Sequence, residues 1–153
     1  MKKSFAISII LATLLVSATA AFPAGLFAGY AGMKWGTDLH KVMNKYRNGN
    51  LGKLGDQVIY KQVKPNREMS QRTFGFKESG LNAVSVTFNA AYVKKTGIEN
   101  LLAKHKKSYG EGVMDRSAAP HMITYVWEDG NSRITFAYSP RRPEMTVLMY
   151  QQK

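Results

Sequence analysis

Two turn sequences, Glu78-Ser79-Gly80 and Glu128-Asp129-Gly130, are each flanked by apolar alternation, and the flanks match position for position. Aligning the turns brings Phe76 onto Val126, and Val84, Val86 and Phe88 onto Ile134, Phe136 and Tyr138. Alternation at period two marks a strand with one buried face, so each turn reads as the bend of a hairpin. A single hairpin does not require its apolar positions to recur in another. The coincidence points to two copies of one unit, and it confines the chain to folds in which antiparallel strands bury one side.

A helical pattern precedes each set of strands. After Thr37, the residues Leu39, Val42, Met43 and Tyr46 fall at i, i+3, i+4 and i+7, with Gly49 as a stop. After Thr96, the same spacing is filled by Ile98, Leu101, Leu102 and His105, and Gly110 closes the helix. Thr96 and Glu99 fit a capping box, in which hydroxyl and carboxylate each satisfy a free backbone N–H of the other. Strand patterns follow at residues 58–63, 71–77 and 82–89, and again at 121–127, 132–139 and 145–151. The expected fold class is therefore α+β, with two tandem α-β-β-β units at residues 37–89 and 96–151. Helices would pack on one face of the antiparallel sheet, within a single domain over residues 37–153.

Turn length decides which side chains face inward. A two-residue Asp129-Gly130 turn would group Tyr125 and Trp127 with Ile134 and Phe136; a three-residue loop with a left-handed glycine would put Val126 and Thr124 there instead. The first hairpin groups Phe74 and Phe76 with Val84, Val86 and Phe88 only with the odd-numbered loop. By analogy the second is read the same way. The outer face would then carry Gly75, Lys77, Ser85, Thr87, Tyr125, Trp127, Arg133 and Thr135. Tyr, Trp and Arg are enriched at binding hot spots, so Tyr125 and Trp127 are candidate anchors, with Lys77 and Arg133 orienting an acidic partner. The competing reading is that both aromatic residues are core.

The first twenty residues read as a secretory signal peptide. Lys2 and Lys3 precede an apolar stretch over residues 5–16, and Ala18-Thr19-Ala20 offers small residues where a signal peptidase reads. The mature protein would begin at Ala21, with a lead-in over residues 21–36, and would be periplasmic or secreted with no stable membrane span. The competing reading is an uncleaved inner-membrane anchor, since no charge occurs between Lys3 and Lys34. The chain has no cysteine, which removes disulfides, thiolate metal sites and a lipobox anchor.

Twenty-two Lys and Arg against ten Asp and Glu give a net charge of +12, a field that favours anionic partners. For an exported protein these are acidic proteins, anionic lipid or glycan rather than nucleic acid. Lys94, Lys95, Lys104, Lys106 and Lys107 cluster around the second helix, and Arg141 and Arg142 lie between Pro140 and Pro143. Cations near a helix C-terminus also complement its dipole, so part of the run has a structural reason.

Little in the sequence points to catalysis. His40, His105 and His121 show no spacing that would present two metal ligands on one helix face. His105 falls on the apolar side of its helix and reads as a core-edge imidazole. No nucleophile-elbow pattern appears, acids for paired-carboxylate chemistry are few and scattered, and the glycines at 29, 32 and 36 lack a preceding strand. No catalytic residue, metal or cofactor is expected.

Gly36-Thr37-Asp38 entering an amphipathic helix, and later Tyr125-Val126-Trp127-Glu128-Asp129-Gly130, carry a resemblance. A helix followed by three strands, repeated, resembles the tandem architecture of the β-lactamase inhibitory protein family. Each single unit also resembles SmpA/BamE-type envelope modules, and residues 32–37 are similar to the start of many small exported bacterial proteins. The chain departs from both groups in lacking the anchoring cysteine of the one and the disulfides of the other. The resemblance implies a non-catalytic exported binding or inhibitor-like module, contacting an acidic partner through an open sheet face. The alternatives are a basic envelope-associated protein holding anionic lipid or glycan, and a small hydrolase.

Overall fold

The computed structural model describes residues 29–78 and 80–153. The signal segment, its cleavage point after Ala20 and the first part of the lead-in lie outside the described residues. What remains of the lead-in is a short hairpin of β1 (Gly29–Tyr30) and β2 (Met33–Lys34). Helix α1 (Leu39–Lys45) leads into β3 (Asn50–Leu54), β4 (Gln57–Val63), β5 (Met69–Lys77) and β6 (Gly80–Phe88). Helices α2 (Ala90–Thr96) and α3 (Ile98–Tyr109) lead into β7 (Val113–Asp115), β8 (Ile123–Glu128), β9 (Ser132–Ser139) and β10 (Arg142–Gln152).

The last eight strands form one antiparallel sheet in the order β3-β4-β5-β6-β10-β9-β8-β7. Each half of the chain is a four-strand meander, and the two meet where β10 pairs with β6. The expected α+β class of tandem α-β-β-β units is corrected by this arrangement. The described chain is mostly β, with ten strands in two antiparallel sheets and three short helices. Strands β3 and β7 account for much of the difference. Both are wholly exposed, so their sequences carry no alternation between apolar and polar residues.

The helices differ in detail from the expected pattern. Asp38, not Thr37, caps α1 by accepting from the His40 N–H, while Thr37 Oγ1 donates to the Lys34 carbonyl. Asn89 caps an unexpected α2 by accepting from the N–H groups of Ala91 and Tyr92. Thr96 is the last residue of that helix, so the Thr96–Glu99 capping box does not form. Gly97, at φ +83°, separates α2 from α3 and has no side chain to cap with. Gly110 closes α3 at φ +89°.

The core lies between the helices and one face of the sheet. Val42, Val93 and Leu101 from the helices meet Phe74, Val84, Val86, Ile134, Phe136 and Leu148 from the strands. The N-terminal hairpin packs on the same side and ties the halves together. The Tyr30 ring stands edge-on to Phe74 of β5 at 6.0 Å and to Tyr150 of β10 at 5.1 Å. Trp35 Nε1 donates to Ser132 Oγ of β9 at 2.8 Å.

The two hairpins reach their facing by different routes. In the first, Lys77 pairs with Gly80, and the register shifts between Gly75 and Phe76, so that Asn82 is an extra residue on β6. This bulge restores the expected grouping of Phe74 and Phe76 with Val84, Val86 and Phe88. The second hairpin has no bulge. The Asp129 N–H donates to the Ser132 carbonyl, and Asp129 Oδ1 accepts from the N–H groups of Asn131 and Ser132, leaving a two-residue Gly130-Asn131 turn. Trp127 therefore lies opposite Ile134, and Tyr125 opposite Phe136, on the core side.

Gly80 fixes the start of β6 against the entry to α1. The Gly36 N–H donates to the Leu81 carbonyl, and the Leu81 N–H donates to the Thr37 carbonyl, at 2.8 and 2.9 Å. Gly80 has φ +97°, and a Cβ there would stand 2.5 Å from the Gly36 carbonyl oxygen. Backbone cannot swing aside as a side chain can. Gly80→Ala is expected to cost about 2 kcal/mol of stability, from positive-φ strain and displacement of this segment. Urea denaturation measures it, and an unchanged midpoint would show that the close approach is not maintained in solution.

Candidate functional site

The residues expected on an open face separate into two groups. Lys77, Arg133, Ser85, Thr87 and Thr135 do lie on the sheet face away from the helices, by the strand register. Trp127 does not: it is 4% exposed, and its Nε1 donates to the Gly110 carbonyl at 2.8 Å. Tyr125 is half-buried beside it, with the two rings 6.4 Å apart. Lys106 Nζ sits 5.4 Å from the centre of the Tyr125 ring and pairs with Glu111 at 2.7 Å. Arg133 is 3.6 Å from Glu128, which also holds Lys153 at 2.8 Å. Lys77 is separated from Arg133 by the intervening strands β6 and β10, so the four residues form no common site.

Val126 and Thr124 take the outward positions expected of the aromatic pair. The outer face is crossed by a register row running Thr73, Ser85, Met149, Thr135, Val126 and Val113. Among the described residues no helix or strand covers it. Small hydroxyl and aliphatic side chains suit an antiparallel sheet with one wet side.

The cations gather mostly on the helical side. Lys94 and Lys95 occupy the last turn of α2, and Lys104 and Lys107 are exposed along α3. Arg141 and Arg142 sit at the β9–β10 turn, both exposed. Helix α2 packs against β10, so two of these runs lie on neighbouring elements. The Glu144 carboxyl is held below the usual carboxylate range by its backbone N–H and by the 2.9 Å hydrogen bond from Arg142 Nε. Burial opposes this, and the charges of Arg142 and, least of all, Lys94 lower it further. Lys94 and Arg142 therefore act on one carboxylate, although the sequence separates them by most of the second half.

His105 is buried, with its ring parallel to Tyr109 and tilted against Phe136 at 5.2 Å. Its Nε2 has no hydrogen-bond partner, and burial, aided by the Lys104 charge, lowers its pKa to about 4. The imidazole is thus neutral core at ordinary pH. His40 on α1 and His121 in the β7–β8 connection are both exposed. Burial, with Tyr109 beside it, also raises the Tyr150 phenol well above its ordinary range. No group of three His, Asp or Glu among the described residues is placed to hold a metal ion. No described helix is long and apolar enough to cross a membrane.

One feature went unread in the sequence. An open cleft of about 560 Å³ lies between the entry to α1 and the β3–β4 and β5–β6 turns, where Asp38, Asp56 and Glu78 surround Leu39, Val58 and Phe76. These acids are far apart in sequence, so only the fold assembles them.

No protein-family model matches this chain, and no curated protein matches it. Among solved structures, it is similar to a DUF4309 family protein (YjgB) from Bacillus subtilis subsp. subtilis str. 168, with a TM-score of 0.50. The identity is 13%, over 80% of this chain and 84% of that one, a likeness of fold alone. The expected resemblance to β-lactamase inhibitory proteins and SmpA/BamE-type modules is not carried by these comparisons.

Proposed function

We propose that this protein is a non-catalytic, exported binding module whose cationic helical side holds an anionic envelope component, a lipid headgroup or a glycan. The observation that carries this reading is that α2, with Lys94 and Lys95 in its last turn, packs against β10, which begins at Arg142, so two basic runs lie on elements in contact. Lys95, Lys104, Lys107 and Arg141 extend it, whereas Lys106 is engaged by Glu111. Such a surface binds through summed charge and is weakened by salt.

The test is co-sedimentation with vesicles of phosphatidylglycerol in phosphatidylcholine, and retention on immobilised heparin as a polyanionic glycan. The quadruple change of Lys94, Lys95, Arg141 and Arg142 to Gln is expected to weaken the preferred ligand by about two to three orders of magnitude, at roughly 1 kcal/mol per cation. Binding that neither raised salt nor these changes reduce would overturn the reading.

A second reading is favoured by the uncovered outer face: contact with a protein through the Thr73-to-Val113 row, flanked by Lys77 and Arg133. A bulky residue at Thr135 would disturb that contact and leave vesicle binding unchanged.

A further inference from the structure

The two edges of the eight-stranded sheet are unlike. Strand β7 is three residues long and is followed at once by a turn in which Asp115 Oδ1 accepts from the Ser117 N–H. Short edges of this kind are poor templates for another strand. Strand β3 is five residues in continuous register with β4, and no described strand pairs with its outer side. It also exposes large apolar side chains, with Leu51 at 55% and Leu54 at 70%. Lys53 is its one charged residue, and it has no proline.

We infer that β3 is a self-association edge, pairing antiparallel with β3 of a second copy across a two-fold axis at Gly52. Three features of the strand select this partner and register. A two-fold axis perpendicular to the sheet keeps the core faces of both copies on the same side, so opposed residues must share a face. Centring on Gly52 meets that condition and pairs all five residues: Leu51 opposes Lys53, and Asn50 opposes Leu54. Centring on Lys53 would instead set two like charges directly opposite, which is destabilising.

The charges beyond the strand ends agree with this register. Arg47 and Asn48 precede β3 and Asp56 follows it, all three exposed, so the cationic start of one edge runs beside the acidic end of the other. The contact is isologous and uses up β3 in both copies, so it closes at two rather than continuing into a filament. A five-residue strand pair is small beside a standard interface, which implies weak, concentration-dependent association. The net positive charge of each copy opposes approach over longer range, so added salt should strengthen the pairing.

The absence of cysteine makes a direct test available. A Gly52→Cys side chain would meet Ile59 at 3.6 Å, an ordinary contact. Two such residues opposed in antiparallel strands bring their Cα atoms to about 4.5–5.5 Å, within disulfide range. Gly130→Cys, at a turn with open space around it, is the control for random collision. Under mild oxidation Gly52→Cys should form covalent dimers on the order of tenfold faster than Gly130→Cys, since pairing raises the effective thiol concentration. Sedimentation equilibrium on the unaltered chain should show a monomer–dimer equilibrium that shifts toward dimer with salt. Equal crosslinking of the two variants would overturn the inference, as would an unaltered chain that stays monomeric at all concentrations. A ladder of higher species would overturn it too, because it would indicate β3 pairing with β7. If an acidic strand from another protein is the true occupant, the chain stays monomeric and Gly52→Cys is silent.

Discussion

Trp127→Ala should cost about 3–5 kcal/mol of stability, the range for removing a large aromatic side chain from a core. The indole supports the end of α3 at several points. Its Nε1 binds the Gly110 carbonyl, its ring lies 5.6 Å from Tyr109, and a Cβ on Gly112 would stand 2.7 Å from it. The chain leaving α3 is thus laid directly on the ring. Truncation leaves a cavity and removes the donor to Gly110. Trp127→Phe keeps most of the packing and loses the hydrogen bond, so it should cost about 1 kcal/mol. Chemical denaturation of both variants measures the difference. If Trp127→Ala unfolded at the wild-type midpoint, the ring would have to be dispensable, and its placement under α3 would be wrong.

Acid should destabilise the protein well before its carboxylates titrate, through His105. The unfolded imidazole has a pKa near 6.5, and the folded one is lowered to about 4 by burial and by Lys104. Between those values the unfolded chain binds a proton that the folded chain refuses, so stability rises with pH across the window. The contribution is fully present above pH 6.5, is lost progressively down to pH 4, and is constant below that. The total is on the order of 3 kcal/mol. Glu128 and Glu144 have carboxyls held below their ordinary 4.5 and Asp115 below its ordinary 3.8, so their losses begin only as pH falls through those values and overlap at most the acid end of this window. His105→Phe fits the stack on Tyr109 and removes the unpartnered Nε2. The variant should be flat in stability from pH 6.5 to about 5, above the range where the depressed Glu carboxyls contribute; a slope equal to wild type there would assign the effect to another group.

The parts of the fold that were legible in the sequence are those where burial writes a pattern. Alternation marks Ser132–Ser139 to the residue, and β4, β5, β6, β8 and β10 within a few, because alternate side chains of each reach the core. Strands β3 and β7 bury nothing and left no such mark. Helix α2 was hidden because Asn89, which ends a strand, is also its cap. The facing of Trp127 differs from that expected by analogy between the hairpins because one inserted residue, Asn82, is present in the first and has no counterpart in the second. A bulge reverses side-chain parity without altering the local composition, so periodicity alone has no access to it. For the candidate site, the basic residues were all visible, but the adjacency of Lys94 and Arg142 depends on α2 lying over β10.

The position of β10 sets an order on how this chain can be completed. Arg142–Gln152 follows every other strand in the sequence and yet sits at the middle of the sheet, between β6 and β9. A chain delivered from its N-terminus, by synthesis or by threading through a membrane, presents two separate meanders with β6 and β9 each lacking a neighbour. Until β10 arrives, both have an open edge and an uncovered apolar side. Contacts that join distant parts of a sequence form slowly, so this interval is when aggregation competes with folding. A folding helper acting on this protein would therefore do most by shielding β6 and β9 until their shared neighbour is in place.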